Sequence, residues 1–497
     1  MGTIMKISCS SRPRESYGGV WLIFARGTTP YLEGNEPEPL RRAVEDRIEK
    51  SGFSGCAGEA RQFPAPSVPG GPESILLAGL GDQGASPAAL ETAAAAAARC
   101  AAQNGVETLV LSCALPHGED DDPASALFRC ARGLTCGAAS PASSLKSQRP
   151  ERSLREAVFA GAARKDVRRL RARARTAARE GELMNSTLGI ANLPGNRATP
   201  GKLVSRIRRL AEKEEFRCEV LGPQRLRREG FGGMTAVGSG SGDGPRLIVL
   251  RTGPRKGKPV VLVGKTVTFD SGGLSLKPGK NMEWMRYDKC GGMAVLGAIR
   301  LLAATGCPRP VIGLMAAVEN MPDGRATRPG DIISMHSGKT VEVINTDAEG
   351  RLALADALSW SARFKPAAIV DLATLTGASI VALGSHAAAL LDNDAGLREN
   401  LIRAGENSGD RVWSLPLWPE YGKALESPFA DLRNIGDGKA GAITAAAFLK
   451  HFVPEGVPWA HVDIAGTAWE EKTGAPHPPG ATLFGARLLV DWIRSGR

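Results

Sequence analysis

The sequence predicts an α/β protein of two domains, a small N-terminal α/β domain and a larger C-terminal α/β domain whose mixed sheet is flanked by helices. Three observations carry this prediction. At 497 residues, with 42% hydrophobic and 23% charged residues, the chain has the length for two or three domains and the composition of ordinary globular material. Short apolar runs alternate with helix-like stretches along its whole length, the pattern of strands covered by helices. A block of positive charge divides the alternation: the net charge is −2 over residues 1–150, +10 over 151–230 and +3 over the remainder.

In chain order, residues 1–150 hold strand-like runs "GVWLIFA", "SILLAGL" and "ETLVLSCAL" and read as the small domain. "GLGDQG", Gly79 to Gly84, follows a strand and precedes a helix, which fits the dinucleotide fingerprint G-x-G-x-x-G. The acidic residue that should bind the ribose is out of place, because Glu107 precedes the next strand instead of ending it. A tight turn with Ser86 as N-cap and Pro87 opening the helix is the better reading. "CGAASPASSLKSQRPERS" reads as a flexible patch before the boundary.

Residues 151–182 read as a basic connecting helix, with the charge concentrated in "RKDVRRLRARARTAAREGE" at 164–182. A DNA-binding role is the second reading of this block and is not favoured, since no aromatic residues interleave the basic ones for stacking. Beyond residue 183 the apolar runs lengthen: "RLIVL", "PVVLVG", "PVIGLMAAVE", "AAIVDLATL" and "WAHVDIAG" resemble buried strands.

The nine cysteines are odd in number, scattered and never spaced C-x-x-C, which suits reduced thiols in a cytoplasmic compartment. No targeting or anchoring segment is expected at the start "MGTIMKISCSSRPRESYGG", and no membrane partner.

The chemistry concentrates in two stretches. "VINTDAEGRLALADAL", 343–358, sets Asp347 and Glu349 two apart; on an extended segment they share a face, and two anions together call for a cation between them. "VVLVGKTVTFDSGGLSLKPGKNMEWMRYDKCGGMAVLGA", 260–298, carries Lys265, Asp270, Lys277 and Asp288 among glycine turns and apolar strands. Each charge alone would be a surface residue more often than not. Taken together, four carboxylates at strand ends, with only six histidines in the chain and no H-E-x-x-H, point to oxygen ligands for divalent ions. Two ions could share them through bridging carboxylates.

"NTDAEGRL", "VGKTVTFDSGG", "DLATLTGA" and "HVDIAGTAW" together resemble the leucyl (cytosol) aminopeptidase family, and the octapeptide is highly specific to it. The resemblance continues through "NLPGNRATPGKLV", "MTAVGSGS", "ADLRNIG" and "GAITAAAFLKHF", covering essentially 190–490 and making 183–497 the catalytic metallopeptidase domain. It implies a homohexamer acting on peptide substrates with two divalent ions per subunit, Mn2+ or Zn2+, and a bridging water or hydroxide as nucleophile. Carried over by motif, Lys265, Asp270, Asp288 and Glu349 would hold the tight metal and Asp270, Asp347 and Glu349 the exchangeable one. Lys265 must then ligate as a neutral amine, with its pKa driven down, while Lys277 stays protonated and stabilises the oxyanion. Arg351 would anchor a bicarbonate ion that shuttles the proton, being too basic to act as a base itself. Met285, Thr374, Gly377, Ala465 and Ala468 would line the pocket for a leucine-like first residue. Three departures from the family pattern stand out: Thr266 and Ala440 replace glycines, and Lys289 places a cation beside Asp288.

Overall fold

The computed structural model describes residues 5–32, 38–67, 69, 71–82, 86–117, 122–139, 154–471 and 479–496. The chain forms two compact units, one of Met1–Ser186 with Glu470–Pro479 and one of Thr187–Trp469 with Gly480–Arg497. Among the described residues no helix is long and apolar enough to cross a membrane.

The first unit is built on a seven-stranded sheet. Its strands are β1 (Lys6–Cys9), β2 (Val20–Arg26), β3 (Thr29–Pro30), β4 (Ala60–Pro64), β5 (Ser74–Gly79), β6 (Thr108–Ser112) and β7 (Glu156–Ala160), in the order β1-β7-β6-β2-β5-β4 with β3 on β2. The neighbours from β1 to β5 run parallel and β4 is antiparallel. Such strands are buried on both faces, which explains their near-continuous apolar runs. The helices Pro87–Gln103 and Pro123–Gly137 share one core with Leu22, Leu76, Leu109 and Phe159.

The segment expected as a helix from 151 differs. "EAVFA" is strand β7, inserted between β1 and β6, and the helix runs from Val167 to Ala191. Five apolar-leaning residues are too few to announce a strand by pattern, but the parallel slot between two strands selects one. On the helix, Arg168, Arg169, Arg173, Arg175 and Arg179 are exposed while Leu170, Ala174, Ala177 and Glu180 are buried, the spacing of an amphipathic helix. Glu180 accepts from Arg132 Nη1 at 2.7 Å, and Arg132 also grips Glu91 through two bonds of 2.8 and 2.7 Å, a buried charge set with its partners in place.

"GLGDQG" is a turn. A Cβ on Gly79 would stand 2.3 Å from Cys56 O, so this glycine admits neighbouring backbone and leaves no room for a phosphate. Ser86 Oγ accepts from Ala89 N at 3.2 Å, capping the helix; Gly84 and residues 140–153 of the expected flexible patch lie outside the described residues.

The second unit holds an eight-stranded mixed sheet. Its strands are β8 (Arg217–Leu221), β9 (Arg246–Thr252), β10 (Val260–Asp270), β11 (Val311–Asn320), β14 (Ala368–Ala373), β15 (Ala388–Asp392), β16 (Val412–Ser414) and β18 (Trp459–Asp463). Between them in sequence, β12 (Ile332–Ser334), β13 (Thr340–Glu342) and β17 (Leu432–Arg433) form a separate three-stranded sheet. The large sheet runs β16-β15-β18-β14-β10-β11-β9-β8, with its central four strands, β18 to β11, parallel. Parallel strands aim their C-terminal ends the same way, and ligands of open α/β sheets bind there. Asp270 ends β10, Asn320 ends β11 and Asp463 ends β18.

Candidate metal centre

Glycines set the spacing of this site. The helix Cys290–Thr305 lies on β10 so closely that a Cβ on Gly292 would stand 2.0 Å from Thr266 Oγ1 and one on Gly264 would stand 2.5 Å from Gly292 Cα. That contact holds Asp288, two residues before the helix, beside β10, where Asp288 Oδ1 is 2.9 Å from Lys265 Nζ. The helix Glu349–Trp360 closes from the other side: a Cβ on Gly350 would be 2.5 Å from Lys265 Cε, and Glu349 Oε1 is 2.9 Å from Lys265 Nζ. Lys265 Nζ also donates to Thr374 O at 2.8 Å.

Asp347 and Glu349 converge, but not as neighbours on an extended segment. Glu349 is the first residue of its helix and Asp347 sits in the turn before it. Ligand atoms of Asp270, Asp347 and Glu349 all lie within 4.8 Å of one another. Asp270 Oδ1 accepts from Gly272 N at 2.9 Å and Asn320 Nδ2 at 2.8 Å, while its Oδ2 is 3.0 Å from Lys277 Nζ, which also contacts Asp347.

The charges explain one another. Burial pushes Asp288 well up, with Lys265 opposing and Glu349 adding to the rise; Asp347 is raised to about 6 by burial and Asp270, against Lys277. Burial lowers both lysines, yet Asp288, Glu349 and Asp270 lift Lys265 above the ordinary lysine value, and Asp270 and Asp347 do the same for Lys277. For Lys277 this is the expected direction; for Lys265 the depressed value is the one expected with a cation in place, and without one the carboxylates hold its proton. The carboxylates that would attract a divalent cation attract the ammonium proton equally, so proton and cation compete for one place.

The residues fit divalent ions. Four carboxylates, Asp270, Asp288, Asp347 and Glu349, face only two lysine ammonium groups, and Asp288 Oδ2 is buried with no hydrogen-bond partner among the described residues.

Lys289 is fully buried beside Asp288, donating to Leu193 O at 2.9 Å and to Arg286 O, and burial lowers its pKa to about 8. Thr266 is likewise buried, its hydroxyl donating to Gly264 O at 2.9 Å.

Arg351 is buried, donates through Nη1 to Asn434 O at 2.8 Å, and leaves Nε without a partner among the described residues; burial lowers its pKa to about 10 against Glu349 and Asp463. Of the expected pocket residues, Met285, Gly377 and Ala465 retain exposure, whereas Thr374 and Ala468 are buried. Thr374 Oγ1 donates to Asp288 Oδ1 at 2.7 Å, which ties the pocket to the charge cluster.

Three supporting residues escaped the sequence reading. Asn320 joins Asp270 to Thr346 O, Asn434 joins Arg351 to Asn345 O, and Asp463 accepts from Leu375 N, Thr376 Oγ1 and Ala465 N. Their signal was position at a strand end or inside a quoted motif, which does not separate a support from a bystander.

A family model described as "Cytosol aminopeptidase family, catalytic domain" matches residues 185–490, and one described as its N-terminal domain matches 34–139. A probable cytosol aminopeptidase of Syntrophotalea carbinolica is 53% identical over 306 residues, which is 61% of each chain. One from Roseiflexus castenholzii is 42% identical over 92% of this chain and 94% of its own. Among solved structures, a bottromycin maturation enzyme in complex with Mn matches with TM-score 0.81 at 33% identity, covering 99% of each chain. A tomato leucine aminopeptidase variant matches with TM-score 0.85 at 28% identity, covering 99% of this chain and 97% of its own. With the catalytic family model spanning more than half of its length and a relative aligned along nearly all of it, the chain belongs to the cytosol aminopeptidase family.

Proposed function

We propose that the protein is a metal-dependent aminopeptidase that removes the first residue, leucine-like by preference, from peptides. The observation that carries this reading is the meeting of Asp270, Asp288, Asp347 and Glu349 around Lys265 and Lys277. Lys265, Asp270, Asp288 and Glu349 would hold one divalent ion and Asp270, Asp347 and Glu349 the other, with Asp270 and Glu349 in both sets. When bound, such a pair acidifies water to a nucleophile at neutral pH and polarises the carbonyl under attack.

The chain's own residues supply the rest. Lys277, kept protonated by Asp270 and Asp347, places a fixed positive charge where an oxyanion develops. Asp288, with one oxygen unpartnered among the described residues, would receive the substrate's free α-amine. Arg351 presents its unpartnered Nε to a small anion such as bicarbonate. Met285, Gly377 and Ala465, which keep exposure, together with buried Thr374 and Ala468 would line the pocket for a branched apolar side chain, by analogy with the family. The ions are Mn2+ or Zn2+, the assembly is a homohexamer and the compartment is the cytoplasm, by analogy with the family.

The test is hydrolysis of leucine p-nitroanilide by metal-stripped protein resupplied with Mn2+, Zn2+ or Mg2+ in turn. Turnover restored by at least one ion supports the reading, and no turnover with any of them overturns it.

A further inference from the structure

All nine cysteines are free, yet two are not isolated. Cys9 is the buried last residue of β1, and partly exposed Cys113 follows β6 directly. Strand β7 separates β1 from β6 in the sheet. Ser10 N donates to Phe159 O and Cys113 N to Ala160 O, both at 2.8 Å, which holds the two segments against the end of β7. Across that end the sulfurs stand 3.7 Å apart, although the residues are 104 positions apart in sequence. Arg171 Nε donates to Cys9 O at 2.8 Å, bringing a guanidinium beside the pair. The hydrogen bond with Cys113 and the Arg171 charge together draw the Cys9 thiol below the ordinary cysteine range, against burial.

We propose that Cys9 and Cys113 are a peroxide-oxidisable dithiol, a modification site in the N-terminal unit that closes into a disulfide and clips the C-terminal ends of β1 and β6 together. One sulfur of the pair, as thiolate, attacks hydrogen peroxide; an S–O bond forms, the O–O bond breaks, and hydroxide leaves to take up the thiol proton as water. The other sulfur, as thiolate, then attacks the sulfenic sulfur, forming S–S and releasing the second water. Two sulfurs give up two electrons, and one peroxide becomes two waters. Closing the pair asks for an approach of about 1.7 Å to reach a bonded S–S distance of about 2.05 Å, a movement shared between two segments at strand ends. The clip spans a long loop of chain, so it limits the unfolded ensemble more than a local bridge would.

The experiment treats the full-length protein with graded hydrogen peroxide, blocks residual thiols, digests without reduction and maps the peptides by mass spectrometry. The expected product joins the Cys9 and Cys113 peptides, two hydrogens lighter than their sum, is lost on adding dithiothreitol, and forms at least about tenfold faster than a bridge between any other two cysteines, as proximity requires. Cys113→Ser abolishes it, and Cys113→Ala does the same if the serine variant folds poorly. Oxidised protein also melts at a higher temperature than reduced protein, a shift absent in Cys113→Ser. Recovery of Cys9 and Cys113 as blocked thiols while other cysteines are oxidised, as separate sulfinic acids, or bridged to other partners overturns the proposal.

Discussion

Glu349 serves two masters at the residue scale: its carboxylate lies within 4.8 Å of those of Asp270 and Asp347 and touches Lys265 at 2.9 Å. Glu349→Gln keeps the shape and removes a charge from both ion sets, so metal content by elemental analysis should fall below two per chain and activity by at least about tenfold. Lys277→Ala should act differently, with kcat down by about 10²-fold and metal content unchanged, because the ammonium group works on charge that develops during reaction. Asp347 adds a pH dependence. Its folded pKa of about 6 lies above the unfolded value of about 3.9, so the folded state binds the proton more tightly; the stability it contributes is present below about pH 4 and is lost as pH rises through 6. Thermal melts in chelator should show that loss between pH 4 and 7, and Asp347→Asn should flatten it. The acidic residues themselves were legible in the sequence because each stands in a motif. The Lys265 direction was not, since it depends on which cation, proton or metal, the carboxylates are facing.

Elements show where pattern reading gives out. Asp347 and Glu349 were paired on the assumption of an extended segment, and the pairing survives because a turn followed by the first residue of a helix also turns both inward. Strand β7 was hidden in a stretch read as helix, because its partners are far away in sequence. Ala440, set where the family has glycine, takes the left-handed conformation at φ 48° just before the helix Gly441–Lys450. A Cβ there is strained, so Ala440→Gly should raise stability by about 1 kcal/mol, read from denaturant melts. Gly292 tests the opposite case. A methyl group 2.0 Å from Thr266 Oγ1 must push the helix Cys290–Thr305 off β10, and Gly292→Ala should cost about 1–3 kcal/mol and loosen the Asp288 site for metal.

For the whole molecule, the two-unit α/β plan follows from long apolar runs and a charge boundary, features that survive without knowledge of contacts. The order of strands does not, because β18 beside β14 and β9 beside β11 are decided by packing between distant segments. That order nevertheless gathers Asp270, Asn320 and Asp463 at one end of the sheet, which is why separate motifs become one site. The central claim is that this site reads a free amino terminus through its ions and cuts the bond after the first residue. Its most direct test compares leucylglycine with N-acetyl-leucylglycine, using protein reconstituted with two Mn2+ per chain, across pH 6 to 10. The free peptide should be cleaved far faster, with a rate that rises from neutral toward mildly alkaline pH as an α-amine of pKa about 8 loses its proton. Equal rates for the two peptides would contradict the account, because an acetylated amine has no lone pair to offer a metal and the site would then be cutting without reading the amino terminus.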